Sequence, residues 1–263
     1  MEDLLPLIKI PCILLATIGL QITATPPHPP PAKSDEAPST SLEVIVKQRG
    51  GPIIIKLICW LAALAEILLI CAQTLRCHSL AKSVLYALGI NMHMQQLEQA
   101  STQLPDSSES SSSSSPGMVM LYPSFLSFIG TILAVAGGYT RYLCYRELGH
   151  LFTFEMSIMK EHKLITTGPY ALVRHPAYTG LLCTIVGIVL LHGASGSWVI
   201  ECRVLDFTLG RAMVMIFLVV TSLITIGLLK RIPKEDEALA QKFGQEWKDW
   251  AQRVPFRLFW GVY

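Results

Sequence analysis

The stretch HKLITTGPYALVRHPAYTG, residues 162–180, is polar, aromatic and basic, yet it runs directly into an apolar segment that begins near Tyr178. Two glycines, two prolines, two histidines, an arginine and two tyrosines fall within its nineteen residues. A chain that only had to turn between two membrane spans would place a plain loop here. Hydrogen-bond donors and ring faces at a membrane border suit a polar ligand bound beside lipid. Gly168-Pro169 marks a turn. Pro176 fits the first turn of a helix, where its missing N–H costs nothing.

Outward from this stretch, composition sets the class. Of 263 residues, 51% are hydrophobic and 15% charged, and the mean hydropathy is +0.46. Soluble domains carry roughly 25% charge, so the chain reads as an all-α polytopic membrane protein. A formal net charge of only +2 argues against a nucleic-acid partner. The seven cysteines, Cys12, Cys59, Cys71, Cys77, Cys144, Cys183 and Cys202, show no CxxC spacing and lie mostly in apolar runs. They read as small buried hydrophobes, not as a disulfide or metal framework.

A spanning helix needs about 20 mostly apolar residues. Ile53 to Leu75, Val119 to Leu143, Tyr178 to Leu191 and Thr208 to Leu229 read as spans. Ser79 to Met92 is shorter and more polar, a further span or an interfacial helix. Leu4 to Ile22 is read as a retained first span, because Glu2 and Asp3 are the wrong charge for a signal peptide. The TPPHPPP run from Thr25 to Pro31 ends it. The total is five to six transmembrane helices. Ser107 to Ser115 is almost pure serine and reads as a disordered loop. It separates variable N-terminal helices (residues 1–118) from a C-terminal core (residues 119–263).

Charge then orients the last two spans. Five Lys and Arg lie between Arg141 and Arg174, and seven between Lys230 and Arg257, whereas the connector His192 to Asp206 carries only Arg203. The positive-inside rule puts both basic segments on the cytoplasmic face. The last two spans therefore form a hairpin that brings residues 162–178 beside Arg231 to Glu237. Beyond it, Leu239, Phe243, Trp247 and Trp250 recur at helical spacing. Pro233 suits a first turn, so an amphipathic C-terminal helix is expected to begin there. Its tryptophans fit a membrane-interface belt.

Single motifs leave alternatives open. Arg231 and Glu235, four apart, share a helix face: an ordinary solvated pair, or an anion site beside an ammonium site. Arg174-His175-Pro176 places a cation, an imidazole and a fixed φ before a span, which a purely structural turn also explains.

Joined in order, the pieces resemble the isoprenylcysteine carboxyl methyltransferase family of integral membrane enzymes. The carrying residues are Arg141, LGHLFT at Leu148 to Thr153, HKLITTGPY at His162 to Tyr170, RHPAYTG at Arg174 to Gly180, RIPKED at Arg231 to Asp236, Leu239, Phe243-Gly244, Trp247 and Trp250. The resemblance runs from Arg141 to Pro255; residues 1–118 carry no motif. It implies S-adenosylmethionine as methyl donor, no metal, and an acceptor that is a prenylated C-terminal cysteine of a CaaX-processed protein, farnesyl or geranylgeranyl. It also implies membrane lipid around the chain and an active site on the cytoplasmic side of the endoplasmic reticulum. By position, His162, Lys163, Leu164, Ile165, Tyr170, His175, Pro176, Ala177, Tyr178 and Glu235 match cofactor-binding residues. Arg141 and Arg231 match catalytic, substrate-binding arginines. A further cofactor contact is expected between Phe152 and His162. Asp236 stands where a second glutamate is common, and tryptophans stand where tyrosines are common in the tail. The wider group shares the RHPxYxG and two-acid patterns, so the alternative is a phospholipid N-methyltransferase. A sterol-reductase-like oxidoreductase and a non-enzymatic scaffold are more distant readings.

Overall fold

The structure, a computed structural model, describes residues 2–29, 50–75, 83, 121–152, 154 and 163–262. Among these residues there are helices and loops but no strand. A 3-10 segment, Glu2–Ile8, leads into α1 (Lys9–Thr23). α2 is Gly50–Thr74, α3 Phe125–Leu148 and α4 Pro176–Gly193. α5 is Thr208–Phe243 and α6 Gln245–Arg253.

Among the described residues four segments are long and apolar enough to cross a membrane: Leu5–Thr23, Gly50–Ala72, Pro176–Gly193 and Thr208–Phe243. The expected spans near residues 4–22, 53–75, 178–191 and 208–229 are these four. The fifth, expected from Val119, begins later, at Phe125. A reciprocal cap fixes that start: Ser127 N–H donates to the Ser124 hydroxyl and Ser124 N–H donates to the Ser127 hydroxyl. At 24 residues α3 has spanning length, but its serine, threonines, glycines and Arg141 keep it out of the apolar set. Ser79 to Met92, Ser83 apart, and the serine tract at 107–115 lie outside the described residues.

The small and polar residues of α3 are its packing surface. Lipid offers helices no hydrophobic drive to associate, so close backbone contact and hydrogen bonds must hold them. A side chain on Gly137 would press into the Gly180 carbonyl and Thr184 of α4, and one on Gly138 would come within 2.7 Å of Gly19 in α1. Thr23 and Thr184 hydrogen-bond between α1 and α4 at 3.0 Å. α1, α3 and α4 thus form a close-packed unit. α5 is looser: Met215, Ile216, Leu218, Val219, Ile226 and Leu229 point outward, as lipid-facing residues do.

A polar cluster closes one end of this unit. Lys9 Nζ lies 2.6 Å from Glu66 Oε1 and donates to the Gly196 carbonyl at 2.8 Å. His192 Nδ1 is 3.3 Å from Glu66 Oε2, and Trp198 N–H donates to Glu66 Oε1. Lys9 and Glu66 have no solvent exposure. The cluster joins α1, α2 and α4 to the connector before α5. Nearby, burial pushes the Cys202 thiol up to about 12. The six cysteines among the described residues are unpaired, as their spacing implied.

Two expectations about the tail are corrected. No new helix begins at Pro233; α5 runs through it to Phe243. Proline is tolerated inside a spanning helix where neighbouring packing compensates for the lost bond, and buried Arg231, Ile232 and Asp236 anchor this stretch. The break comes at Gly244, whose φ of +56° a side chain would strain. α6 does have one buried face, but its tryptophans do not form an interface belt. Trp250 is buried and donates its indole N–H to the Tyr170 carbonyl at 3.3 Å. Trp247 lies under the Arg174 guanidinium at 5.8 Å.

Candidate functional site

The hairpin places the first turn of α4 against the last turns of α5, as charge asymmetry implied. Tyr178, one turn into α4, donates its hydroxyl to Glu235 Oε2 at 2.6 Å, across 57 residues of sequence. Arg231 Nε lies 3.5 Å from the same oxygen. The i,i+4 pair is real, but it is no surface pair: the Arg231 side chain is 9% exposed and that of Glu235 30%.

Asp236, the next residue, collects three cationic or potentially cationic groups. His175 Nε2 is 3.0 Å from Oδ1, Arg174 Nη1 3.2 Å from Oδ2, and Arg257 Nε 3.3 Å from Oδ2. The His175 ring stacks on that of Tyr178, with centroids 5.6 Å apart and planes 7° from parallel. Asp236, His175, Tyr178 and Glu235 are therefore linked by direct contacts.

Arg141 enters from α3 and is buried. Its Nη1 donates to the Ala177 carbonyl and its Nε to the Tyr145 hydroxyl, both at 3.0 Å. The Tyr145, Phe152 and Phe154 rings surround the guanidinium at 5.2–5.6 Å. Arg231 Nη1 donates to the Phe154 carbonyl at 2.6 Å. Phe154 thus touches both arginines, a role that no sequence signal indicated.

Both arginines and Tyr178 line one pocket. Apart from Thr23 and Thr221 its other walls are apolar, among them Leu20 from α1, Ile55 from α2, Leu181 from α4, and Phe217 and Ile224 from α5. The pocket lies between helices long enough to span a membrane. Two guanidiniums in an otherwise apolar cleft favour a ligand with an anionic group and a long apolar body.

The remaining expected cofactor residues surround Tyr178. Residues 163–166 have no regular secondary structure, with Lys163 exposed and Leu164 and Ile165 half-buried. Tyr170 follows in the short 3-10 turn Gly168–Ala171. Burial, and then Cys144 beside it, raise its phenol well above the ordinary value, so Tyr170 stays neutral. Pro176 and Ala177 are buried in the first turn of α4, where they shape the backbone that Arg141 binds. His162 lies outside the described residues, as does most of the interval expected to hold a further contact. Among the described residues, no group of three His, Cys, Asp or Glu could hold a metal ion.

Residues 129–215 match the sequence model of the isoprenylcysteine carboxyl methyltransferase family. A probable protein-S-isoprenylcysteine O-methyltransferase of Oryza sativa subsp. indica is 35% identical over 132 residues, 49% of this chain and 59% of the relative. Protein-S-isoprenylcysteine O-methyltransferase B of Arabidopsis thaliana is 30% identical over 133 residues, 50% of this chain and 58% of the relative. Protein-S-isoprenylcysteine O-methyltransferase of Saccharomyces cerevisiae is 37% identical over 65 residues, 24% and 27% of the two chains. The match to this chain thus spans under three fifths of the plant relatives' length. Over this region, the family resemblance read from the motifs is borne out.

Proposed function

We propose that this chain is an S-adenosylmethionine-dependent methyltransferase that esterifies the carboxylate of a C-terminal prenylated cysteine. The observation that carries this reading is the pocket: two arginines, Arg141 and Arg231, in an apolar cleft between helices of spanning length. A prenylcysteine has the matching shape, a carboxylate joined to an isoprenoid chain that partitions into lipid. The relatives' names support the same acceptor.

The acceptor carboxylate has a pKa near 3.5 and is ionised at neutral pH. No general base is required, so the chain's work is binding and alignment. Arg231, with Arg141, holds the carboxylate by charge-assisted hydrogen bonds. Phe152, Phe154 and the aliphatic wall exclude water that would otherwise screen those charges.

The residues beside the arginines fit the methyl donor. Glu235 offers an anion to an α-ammonium group, and the rings of Tyr170 and Tyr178 offer faces to an adenine or a sulfonium. S-adenosylmethionine, when bound, supplies an electrophilic methyl on a positively charged sulfur. His175 serves this site as a structural partner of Tyr178 and Asp236 rather than as an acid or base. The positive-inside argument supports a site that faces the cytoplasm, and the family resemblance supports a location in the endoplasmic reticulum.

The test is methyl transfer by membranes containing the protein, with a farnesylcysteine analogue and phosphatidylethanolamine supplied side by side. The expected product is the base-labile methyl ester, formed at a rate nearly flat between about pH 6 and pH 8, because the carboxylate is fully ionised throughout. Methylation of the lipid amine alone, with a rate that climbs as the amine deprotonates, would overturn the acceptor assignment.

A further inference from the structure

The end of α6 and the chain after it are fastened to the segment that leads into α4 and to the first turn of α4. Arg174 N–H donates to the Phe256 carbonyl at 2.9 Å, and His175 N–H to the Arg257 carbonyl at 2.8 Å. The Thr179 hydroxyl donates to the Leu258 carbonyl. Arg174 Nη2 reaches the Pro255 carbonyl at 3.3 Å, and Trp250 binds the Tyr170 carbonyl. Val254 and Leu258 are buried. Residues 170–179 therefore carry tail partners from end to end.

Arg257 adds a charge to this strap. Its Nε is the third of the groups on Asp236, after His175 and Arg174. Neutralising one carboxylate does not require a cation from the chain's far end. Ordering that segment costs conformational entropy. What the arrangement achieves is a carboxylate flanked on both sides: two guanidiniums lie within ion-pair distance of Oδ2, and Oδ1 faces His175. His175 is in turn stacked on Tyr178, and Tyr178 hydrogen-bonds Glu235.

We propose that Arg257 and Asp236 are positioning residues that set the cofactor-binding geometry of Tyr178 and Glu235 through His175. The inference rests on the cofactor reading above, and it extends the site to residue 257, outside the motifs from Arg141 to Pro255 and outside the family-model match. Arg257 is 35% exposed, so its loss should barely change stability, while the loop it holds loses its alignment.

The experiment uses the full chain in lipid nanodiscs. S-adenosylmethionine binding is measured by calorimetry, steady-state rates with a farnesylcysteine acceptor, and thermal unfolding in parallel. Arg257→Gln is expected to weaken cofactor binding by about 5- to 30-fold, to raise the cofactor KM in step and to leave the acceptor KM unchanged. The unfolding midpoint should move by no more than about 2 °C. Arg257→Lys should recover most of the binding, and Asp236→Asn should match Arg257→Gln. Wild-type binding in Arg257→Gln would overturn the proposal. So would losses that follow the unfolding midpoint without rescue by lysine, since those mark simple packing. Absence of binding by the wild-type protein would overturn the cofactor reading itself, and this inference with it.

Discussion

Two buried polar clusters occupy opposite ends of the α1–α3–α4 unit. At one end, Lys9 faces Glu66, with His192 and the Gly196 carbonyl completing a group sealed from solvent. At the other, the guanidiniums of Arg174, Arg231 and Arg257 surround the carboxylates of Glu235 and Asp236, and Arg141, bonded to the Ala177 carbonyl, shares Phe154 with Arg231. The first cluster balances one ammonium against one carboxylate, neither of them exposed to solvent. Among the described residues the second sets four guanidiniums against two carboxylates, and Arg141 and Arg231 line a largely apolar cleft. A balanced, sealed ion pair fastens helices together. Guanidiniums beside an apolar cleft suit an anion brought from outside the chain.

The comparison breaks first if the sealed cluster is not structural. Lys9→Met leaves Glu66 buried without its cation, and the expected loss is about 3–5 kcal/mol of stability, read from thermal unfolding in nanodiscs. Methyl transfer per folded molecule should be unchanged, and Lys9→Met combined with Glu66→Leu should recover most of the stability. At the other end the signature reverses. Arg231→Ala should lower kcat/KM for a prenylcysteine acceptor, per folded molecule, by about 100- to 1,000-fold, roughly 3–4 kcal/mol of transition-state binding. Glu235→Gln should weaken S-adenosylmethionine binding by about 10- to 100-fold, the scale of a charge-assisted hydrogen bond, as calorimetry would show. Tyr178→Phe removes only the hydroxyl that Glu235 accepts. It should cost about 1 kcal/mol of cofactor affinity, roughly 5-fold, and keep the ring.

What the sequence revealed about these clusters follows their distance along the chain. The pair Arg231 and Glu235 was visible because four residues is a helix repeat. Its meeting with residues 170–178 was visible because Lys and Arg counts orient a hairpin. Lys9, Glu66 and His192 share no motif or period, so nothing short of the fold brings them together. Phe154 binds Arg231 through its carbonyl, which every residue type has, and meets Arg141 with its ring across a distance that no motif spans. Asp236 stood out in the sequence only as an aspartate in place of a commoner glutamate; its partners come from two other segments. Pro233 was misread for a physical reason: helix-start rules assume an end exposed to water, whereas here buried neighbours on α5 carry the helix past the proline.

That continuity has a mechanical consequence. At 1.5 Å per residue, the 36 residues of α5 make a rod about 54 Å long, against a hydrocarbon thickness of about 30 Å. Arg231, Glu235 and Asp236 ride on its overhanging part, while Tyr178 and His175 belong to a separate helix and its loop. A helix responds to bilayer thickness by tilting, and a tilt of α5 would move the residues on its overhang relative to Tyr178 and His175. Turnover is then expected to depend on bilayer thickness, with its maximum where that thickness matches the apolar length of α5.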